Sequence, residues 1–137
     1  DELTVGSGFY CSHLFDKYKN PFYPSCFYAI EVSRKSSDNV ITLHGGGYVA
    51  SGSCDLLKHP EIYLPKNLVP SKNEMFGEVQ SPVISKENIQ LNLGDPVFLR
   101  HAKAGELMER FNKVYIIRDM KIIHEWNTYR GDGQCIL

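Results

Sequence analysis

The sequence has few of the features that mark a membrane, secreted or nucleic-acid-binding protein. No apolar run is long enough to span a bilayer. The formal net charge is only -1, so no excess of positive charge favours nucleic acid or an acidic membrane surface. The 4 cysteines are scattered without CxxC spacing, which argues against a zinc knuckle and against a disulfide framework. We therefore predict a cytoplasmic protein with reduced thiols that binds neither nucleic acid nor a membrane.

The length and composition are those of one globular domain. A chain of 137 residues buries roughly two thirds of its unfolded surface. Hydrophobic residues make up 42% and charged residues 23%, which is ordinary for a folded domain. Aromatic residues reach 12%, and we interpret them as filling a β-rich core rather than lining a ligand pocket.

The chain lacks an initiator methionine and opens on a segment that has the composition of a strand end. Residues 1–5 are followed at once by Gly6, Ser7 and Gly8. We therefore expect a fragment whose upstream part is missing. A processed N-terminus is the alternative interpretation.

Apolar alternation and turn residues predict a mainly β domain, a small barrel or sandwich with two short helices. The helices are expected at 13–19, with Ser12 as the N-cap, and at 104–111. Prolines recur through 51–73, so irregular structure without a helix is expected there. The expected strands are 25–34, 40–43, 75–80, 82–84, 97–100, 114–117 and 122–126. Strand 40–43 is expected to form a hairpin with strand 25–34, and strand 122–126 a hairpin with strand 114–117.

Two glycine runs are candidate binding features. Gly6, Ser7 and Gly8 lie between an expected strand and an expected helix, where backbone N–H groups and a hydroxyl can cradle a phosphate. The triplet matches neither the Walker nor the dinucleotide pattern, and a plain turn is the commoner interpretation. The run 45–47 indicates close approach of a ligand or of another chain segment, or a tight bend in a barrel.

His101 and Lys103 end the strand expected at 97–100. Residues two apart in an extended chain point to the same face, so an imidazole and an ammonium would lie side by side. An anion or carbonyl site could use that pair. Two other interpretations stay open: a structural histidine, and a surface ion pair of Lys103 with Glu106 across one helical turn.

Five motifs in order carry a resemblance to one enzyme family. They are ELTVGSGFY at 2–10, GGGYVASG at 45–52, GEVQSP at 77–82, RHAKAGE at 100–106 and TYRGDG at 128–133. Through these five motifs the chain resembles the C-terminal part of the D-threonine aldolase and D-serine dehydratase-like family. These are fold-type III pyridoxal-phosphate enzymes related to alanine racemase. The amino acid deaminase/aldolase subgroup is the most similar, over nearly all of the chain.

The resemblance implies a missing N-terminal (β/α)₈ barrel that carries the cofactor and a C-terminal β domain that closes the active site. Residues 1–20 would then be the last strand and helix of the barrel, and 21–137 the β domain. The Schiff-base lysine would lie upstream, so the parent would be a pyridoxal-phosphate lyase while the fragment alone would be inactive and free of cofactor. The residues that would hold the cofactor phosphate are Gly6, Ser7, Gly8 and Tyr10, the last in place of a tyrosine that the family carries at the position of Gly8.

The family's metal site is altered in this chain. In metal-dependent members a histidine and, two residues later, a cysteine or aspartate hold a divalent ion. His101 matches the first ligand, but Lys103 replaces the second, and an ammonium cannot ligate a metal. The resemblance therefore implies no metal, with His101 as a proton shuttle and Lys103 as a fixed positive charge. Both should face one pocket, near Glu78 or Gln80.

The substrate and partners follow from the same resemblance. The parent would dehydrate a D-β-hydroxy amino acid or cleave its Cα–Cβ bond, and racemisation stays open. Its partners would be the upstream barrel, the D-amino acid and, as a further candidate, a second copy in a homodimer. The alternative from another class is a free-standing, non-catalytic β-barrel that binds a small ligand or serves dimerisation.

Overall fold

The computed structural model describes residues 2, 6–19 and 22–134. The chain divides into two compact units, Asp1–Ala102 and Lys103–Leu137, and each is described by itself. Apart from Glu2, the strand expected at 1–5 lies outside the described residues. The boundary expected at residue 20 between a barrel end and a β domain stays a prediction. No helix in the described ranges is long and apolar enough to cross a membrane.

The first unit is an antiparallel sheet of six strands. The strands are β1 (Phe27–Ser37), β2 (Val40–His44), β3 (Glu61–Leu64), β4 (Val69–Pro70), β5 (Gln80–Ile84) and β6 (Pro96–Arg100). Their hydrogen-bonding order is β3-β6-β1-β2-β5-β4, and the sheet is barrel-like and nearly closed. This confirms the expected mainly β class.

Alternating apolar positions place the core on one face of this sheet. Ile41 and Leu43 on β2, and Val97 and Leu99 on β6, have no exposed surface, and neither does Val83 on β5. Each pair is two residues apart, as one face of a strand requires. Burial of each of these side chains stabilises the fold by about 1.5–3 kcal/mol. The β1–β2 hairpin expected from the turn residues is confirmed, with Val32 opposite Leu43.

The structure corrects the expectation for 51–73. A 3₁₀ turn forms at Leu56–Lys58, and two short strands follow, of which β3 pairs with β6. The prediction failed because β3 lies at the edge of the sheet and is only four residues long. So short an edge strand, with Pro60 before it and Pro65 after it, shows too little alternation to be recognised.

Two further expectations were too long. The helix expected at 13–19 is a 3₁₀ turn over His13–Phe15, and the Ser12 hydroxyl makes no capping bond there. The strands expected at 75–80 and 82–84 are one strand, β5, that starts at Gln80. Met75 has a φ of 54°, a left-handed conformation that ends extended structure before β5 begins.

The second unit contains one short helix and one hairpin. The helix α1 (Ala104–Met108) is shorter than the expected 104–111. The strands β7 (Lys113–Arg118) and β8 (Lys121–Asn127) form the expected hairpin. Its turn residues, Asp119 and Met120, have φ values of 49° and 59°, and positive φ at both positions is what a tight two-residue hairpin turn requires.

The glycine run at 45–47 is explained by close approach of another chain segment. The Gly47 N–H donates to the Gly77 carbonyl at 2.9 Å, and a Cβ on Gly47 would lie 2.4 Å from that same oxygen. A Cβ on Gly46 would lie 2.3 Å from Ile30 Cδ1. The Ser81 hydroxyl secures the run from β5 by donating to the Gly45 carbonyl at 2.6 Å.

Replacing Gly47 tests this packing. Gly47→Ala should lower the free energy of unfolding by about 3 kcal/mol, because its Cβ meets backbone that cannot move aside cheaply. Gly105→Ala is the matched control, since a Cβ there meets nothing within 4 Å and alanine favours the helix. Urea denaturation of both variants measures the difference. Equal stability of the two would contradict this account of the glycine run.

Candidate functional site

The expected phosphate-binding residues lie in an exposed turn at residues 6–11, named here the N-terminal turn. Ser7–Tyr10 is a 3₁₀ helix in which the Phe9 N–H donates to the Gly6 carbonyl at 3.1 Å. No residue of this helix is buried, and a Cβ on Gly6 would meet nothing within 4 Å. The backbone of the turn is therefore accessible, as an anion cradle requires. A phosphate role for Gly6, Ser7, Gly8 and Tyr10 stays a prediction.

Arg100 connects the N-terminal turn to the end of β6. Its guanidinium is buried and binds Asp16 through two bonds, Nη1 to Oδ2 at 2.6 Å and Nη2 to Oδ1 at 2.8 Å. Nη1 also lies 3.2 Å from Glu61 Oε2, and Nη2 donates to the Cys11 carbonyl at 3.1 Å. Planar two-point pairing of this kind is what a guanidinium makes with a carboxylate.

The pKa shifts of Asp16 and Arg100 show that each group stabilises the charged form of the other. The hydrogen bond from Arg100 lowers the pKa of the Asp16 carboxyl below 3.8, and burial opposes this only in part. The same bond raises the pKa of Arg100. Both groups are therefore charged at neutral pH. No role was expected of Arg100 from the sequence, although a charged residue that ends an otherwise apolar strand was the available signal.

His101 follows Arg100 and is buried, with 3% of its surface exposed. Its backbone carbonyl accepts from the His13 N–H at 3.4 Å. Neither ring nitrogen makes a hydrogen bond of normal geometry within residues 2, 6–19 and 22–134, although the Cys26 backbone interacts with the ring as a weak acceptor. Burial lowers the pKa of His101 to about 4, and the neighbouring His13 and Arg100 charges lower it further, while the Cys26 backbone opposes the shift. The imidazole is thus neutral near pH 7 and keeps one donor and one acceptor for another group.

Lys103 opens the second unit and precedes α1. Its ammonium Nζ lies 3.1 Å from Glu106 Oε1, with both side chains partly exposed. This is the surface ion pair that the sequence left open, and such pairs contribute 1 kcal/mol or less. The pairing does not remove the positive charge from the start of α1. A pocket shared by His101 and Lys103 stays a prediction.

Glu78 and Gln80 have neighbours of their own. The Gln80 amide donates to Glu74 Oε1 at 2.7 Å, and the sheet order places β1 and β2 between its strand and β6. Glu78 lines a shallow surface depression of about 360 Å³. The other lining residues include Glu31, His44 and Tyr48, and His44 Nδ1 lies 3.6 Å from Glu31 Oε1. Proximity of Glu78 or Gln80 to His101 stays a prediction.

Across the described part of the chain, no group of three or more histidine, cysteine, aspartate or glutamate side chains is placed to hold a metal ion. The depression beside His44 is also lined by Gly45 and Gly46, where the sequence left approach of a ligand open, but no role was expected of His44. Its available signal was His44 directly before the glycine run.

Comparison with known proteins relates the fold to solved structures. No family model matches the chain. No curated protein matches it either. The crystal structure of D-threonine aldolase from Filomicrobium marinum is similar, with a TM-score of 0.62 and 15% sequence identity. The two folds are related. The likeness covers 85% of this chain and 30% of that chain, so this chain spans less than a third of the aldolase's length. At this identity the likeness concerns the fold alone.

Protonation of His101 should destabilise the protein. The pKa of the imidazole is about 4 in the folded state and 6.5 as its ordinary value, so the unfolded chain binds the proton first as the pH falls. The free energy of unfolding should therefore be highest above about pH 6.5 and fall by up to ~3 kcal/mol toward pH 4. Urea denaturation across this range measures the slope.

Two variants distinguish the effect of His101 titration on stability from that of other groups. His101→Gln should flatten the slope, because no titrating group remains at that position. His124→Gln, which removes an exposed imidazole of β8, should keep the wild-type slope. Asp16 loses its contribution only from about pH 5 downward, because its folded pKa is lowered, so the slopes are compared between about pH 5 and 6.5. A His101→Gln protein with the wild-type slope would contradict the assignment.

Proposed function

We propose that the chain is the C-terminal β domain of a pyridoxal-phosphate-dependent lyase that dehydrates or cleaves D-β-hydroxy amino acids. The fold likeness to D-threonine aldolase over 85% of the chain is the observation that carries this proposal. The five sequence motifs stand in the order in which the family carries them, and they contain the residues that receive roles in this proposal. Because the chain spans only 30% of that aldolase, the activity is proposed for a larger parent protein. Its upstream barrel would carry the Schiff-base lysine.

The residues of the N-terminal turn fit the cofactor phosphate. Gly6 and Ser7 are exposed, and the open side of Gly6 leaves room for an anion beside the backbone. Pyridoxal phosphate, when bound, supplies an electron sink for the charge that develops at Cα. In this proposal the chain contributes backbone N–H groups of Gly6 to Gly8 and the hydroxyls of Ser7 and Tyr10 as donors to the phosphate.

His101 and Lys103 would act on the substrate. His101 is neutral at working pH and makes no hydrogen bond of normal geometry to the described residues, which leaves it able to exchange a proton with the β-hydroxyl. Its burial keeps bulk water away from that proton. Lys103 would place its ammonium on the substrate carboxylate or the β-oxygen. It would supply the positive charge that a divalent ion supplies in metal-dependent members.

The parent protein should be yellow and bleach with borohydride. It should release ammonia from D-serine or aldehyde from D-threonine, and a chelator should leave the rate unchanged. Absorbance near the Schiff-base band and assays with both substrates measure these outcomes. A colourless parent protein with no activity on either substrate would sink the proposal, and a rate abolished by chelator would sink its metal-free form.

Substitution of Lys103 tests the proposed charge. Lys103→Met should lower kcat on the order of a hundredfold, the loss typical of one donor to a developing negative charge. Lys121→Met is the matched control, since Lys121 is an exposed lysine of β8 and its loss should leave kcat unchanged. Steady-state kinetics of both variants decide the matter. Equal kcat values for the two variants would rule out the role of Lys103.

The depression at His44 favours a second candidate function, that of a small-ligand-binding module. Its volume of about 360 Å³ lies at the low end of ligand sites, and Glu31, His44 and Glu78 present polar atoms to it. A module of this kind would show ligand binding abolished by His44→Ala without any bleachable absorbance. The same borohydride test therefore separates the two functions.

A further inference from the structure

Residues Ser7–Tyr10 of the N-terminal turn have no hydrophobic anchor of their own. None of them is buried, although Phe9 and Tyr10 are large and apolar. The turn is anchored only at its end, where Cys11 is buried and its thiol donates to the Phe22 carbonyl at 3.4 Å, so the place of residues 7–10 depends on that end and on polar bonds of the backbone. The Ser25 hydroxyl donates to the Phe9 carbonyl at 2.7 Å, and the Ser25 N–H donates to the Tyr10 carbonyl at 3.4 Å.

Arg100 fixes the turn where it ends. Its Nη2 donates to the carbonyl of Cys11, a residue with a φ of 45° that closes the 3₁₀ helix and is itself buried. The same guanidinium holds Asp16 through two bonds. One side chain thus binds the segment 11–16 at both ends. A lysine at this position would retain the charge but not the planar two-point geometry.

Arg100 has no terminal nitrogen left with which to bind a ligand of the turn directly. Only 5% of its surface is exposed, and Asp16, Glu61 and Cys11 occupy both of its terminal nitrogens. We propose that Arg100 is a positioning residue that holds the N-terminal turn against the end of β6 and thereby sets the place of the cofactor phosphate. The proposal rests on the proposed function, because it takes the phosphate to bind at this turn. Arg100, which lies outside the turn, would then contribute to the affinity for the cofactor.

Hydrogen exchange of the apoprotein tests the anchoring. In Arg100→Lys, the Phe9 and Cys11 amides, whose bonds to Gly6 and Gly8 form the turn, should exchange about tenfold faster. The Ile41 and Leu43 amides in β2 should exchange as in the wild type. Arg118→Lys is the matched control, since Arg118 is an exposed arginine of β7. Equal acceleration at all four amides would mark Arg100 as a general stability residue and overturn the proposal.

Cofactor binding to the parent apoprotein tests the role in phosphate placement. Arg100→Lys should weaken affinity for pyridoxal phosphate on the order of tenfold, the range typical of residues that orient a binding group. Affinity for pyridoxal, which lacks the phosphate, should change less than about twofold. Asp16→Asn should show the same preference, and the double variant should be no worse than either single one, because the two residues act as a unit.

The outcomes separate this inference from the proposed function. Equal losses for pyridoxal phosphate and pyridoxal, or no loss for either, would overturn the positioning role while the proposed function stands. A wild-type parent protein that binds neither compound would overturn the proposed function and, with it, the phosphate role of Arg100. Faster exchange at the turn together with a selective loss of pyridoxal phosphate affinity would support both.

Discussion

The first unit depends on one buried guanidinium and the groups that satisfy it. Arg100 gathers a carboxylate from the N-terminal segment, a carboxylate from β3 and a carbonyl from the N-terminal turn. Left without them it would be an uncompensated charge in the interior, a state that costs about 3–5 kcal/mol. Asp16 and Glu61 are each half exposed, which reduces the penalty of bringing them to the arginine. The position of the N-terminal segment is therefore set by the buried charge of Arg100, which needs the Asp16 carboxylate and the Cys11 carbonyl as partners.

Two adjacent residues at the end of β6 differ in hydrogen bonding. Both terminal nitrogens of Arg100 are engaged and only its Nε is not, so its chemistry is that of an anchor. His101 is as deeply buried, yet neither ring nitrogen makes a hydrogen bond of normal geometry in the described part of the chain. Unsatisfied buried polar groups are unfavourable, and where they persist they often belong to binding or proton transfer. This contrast supports a substrate role for His101 and a positioning role for Arg100.

Local signals predicted the hairpins and missed the edges of the sheet. The β1–β2 and β7–β8 hairpins were predictable because each has turn residues between two alternating apolar segments. The strand β3 was not, because a short edge strand between prolines acquires its conformation from β6 rather than from its own pattern. The expected helix at 13–19 failed for a similar reason: the segment is held by bonds from His101 and Arg100, which override its weak helical preference.

The sequence alone determined the mainly β class, the two hairpins and the candidate residues His101 and Lys103. Those follow from composition and short-range spacing, which the chain carries locally. Only the tertiary structure decided that Arg100 binds Asp16, 84 residues away, and that His101 is buried with no well-formed hydrogen bond to the described residues. It also decided that the glycine run at 45–47 serves the approach of Gly77. Burial, pKa and hydrogen-bond partners depend on which distant segments meet, and no local pattern encodes that meeting.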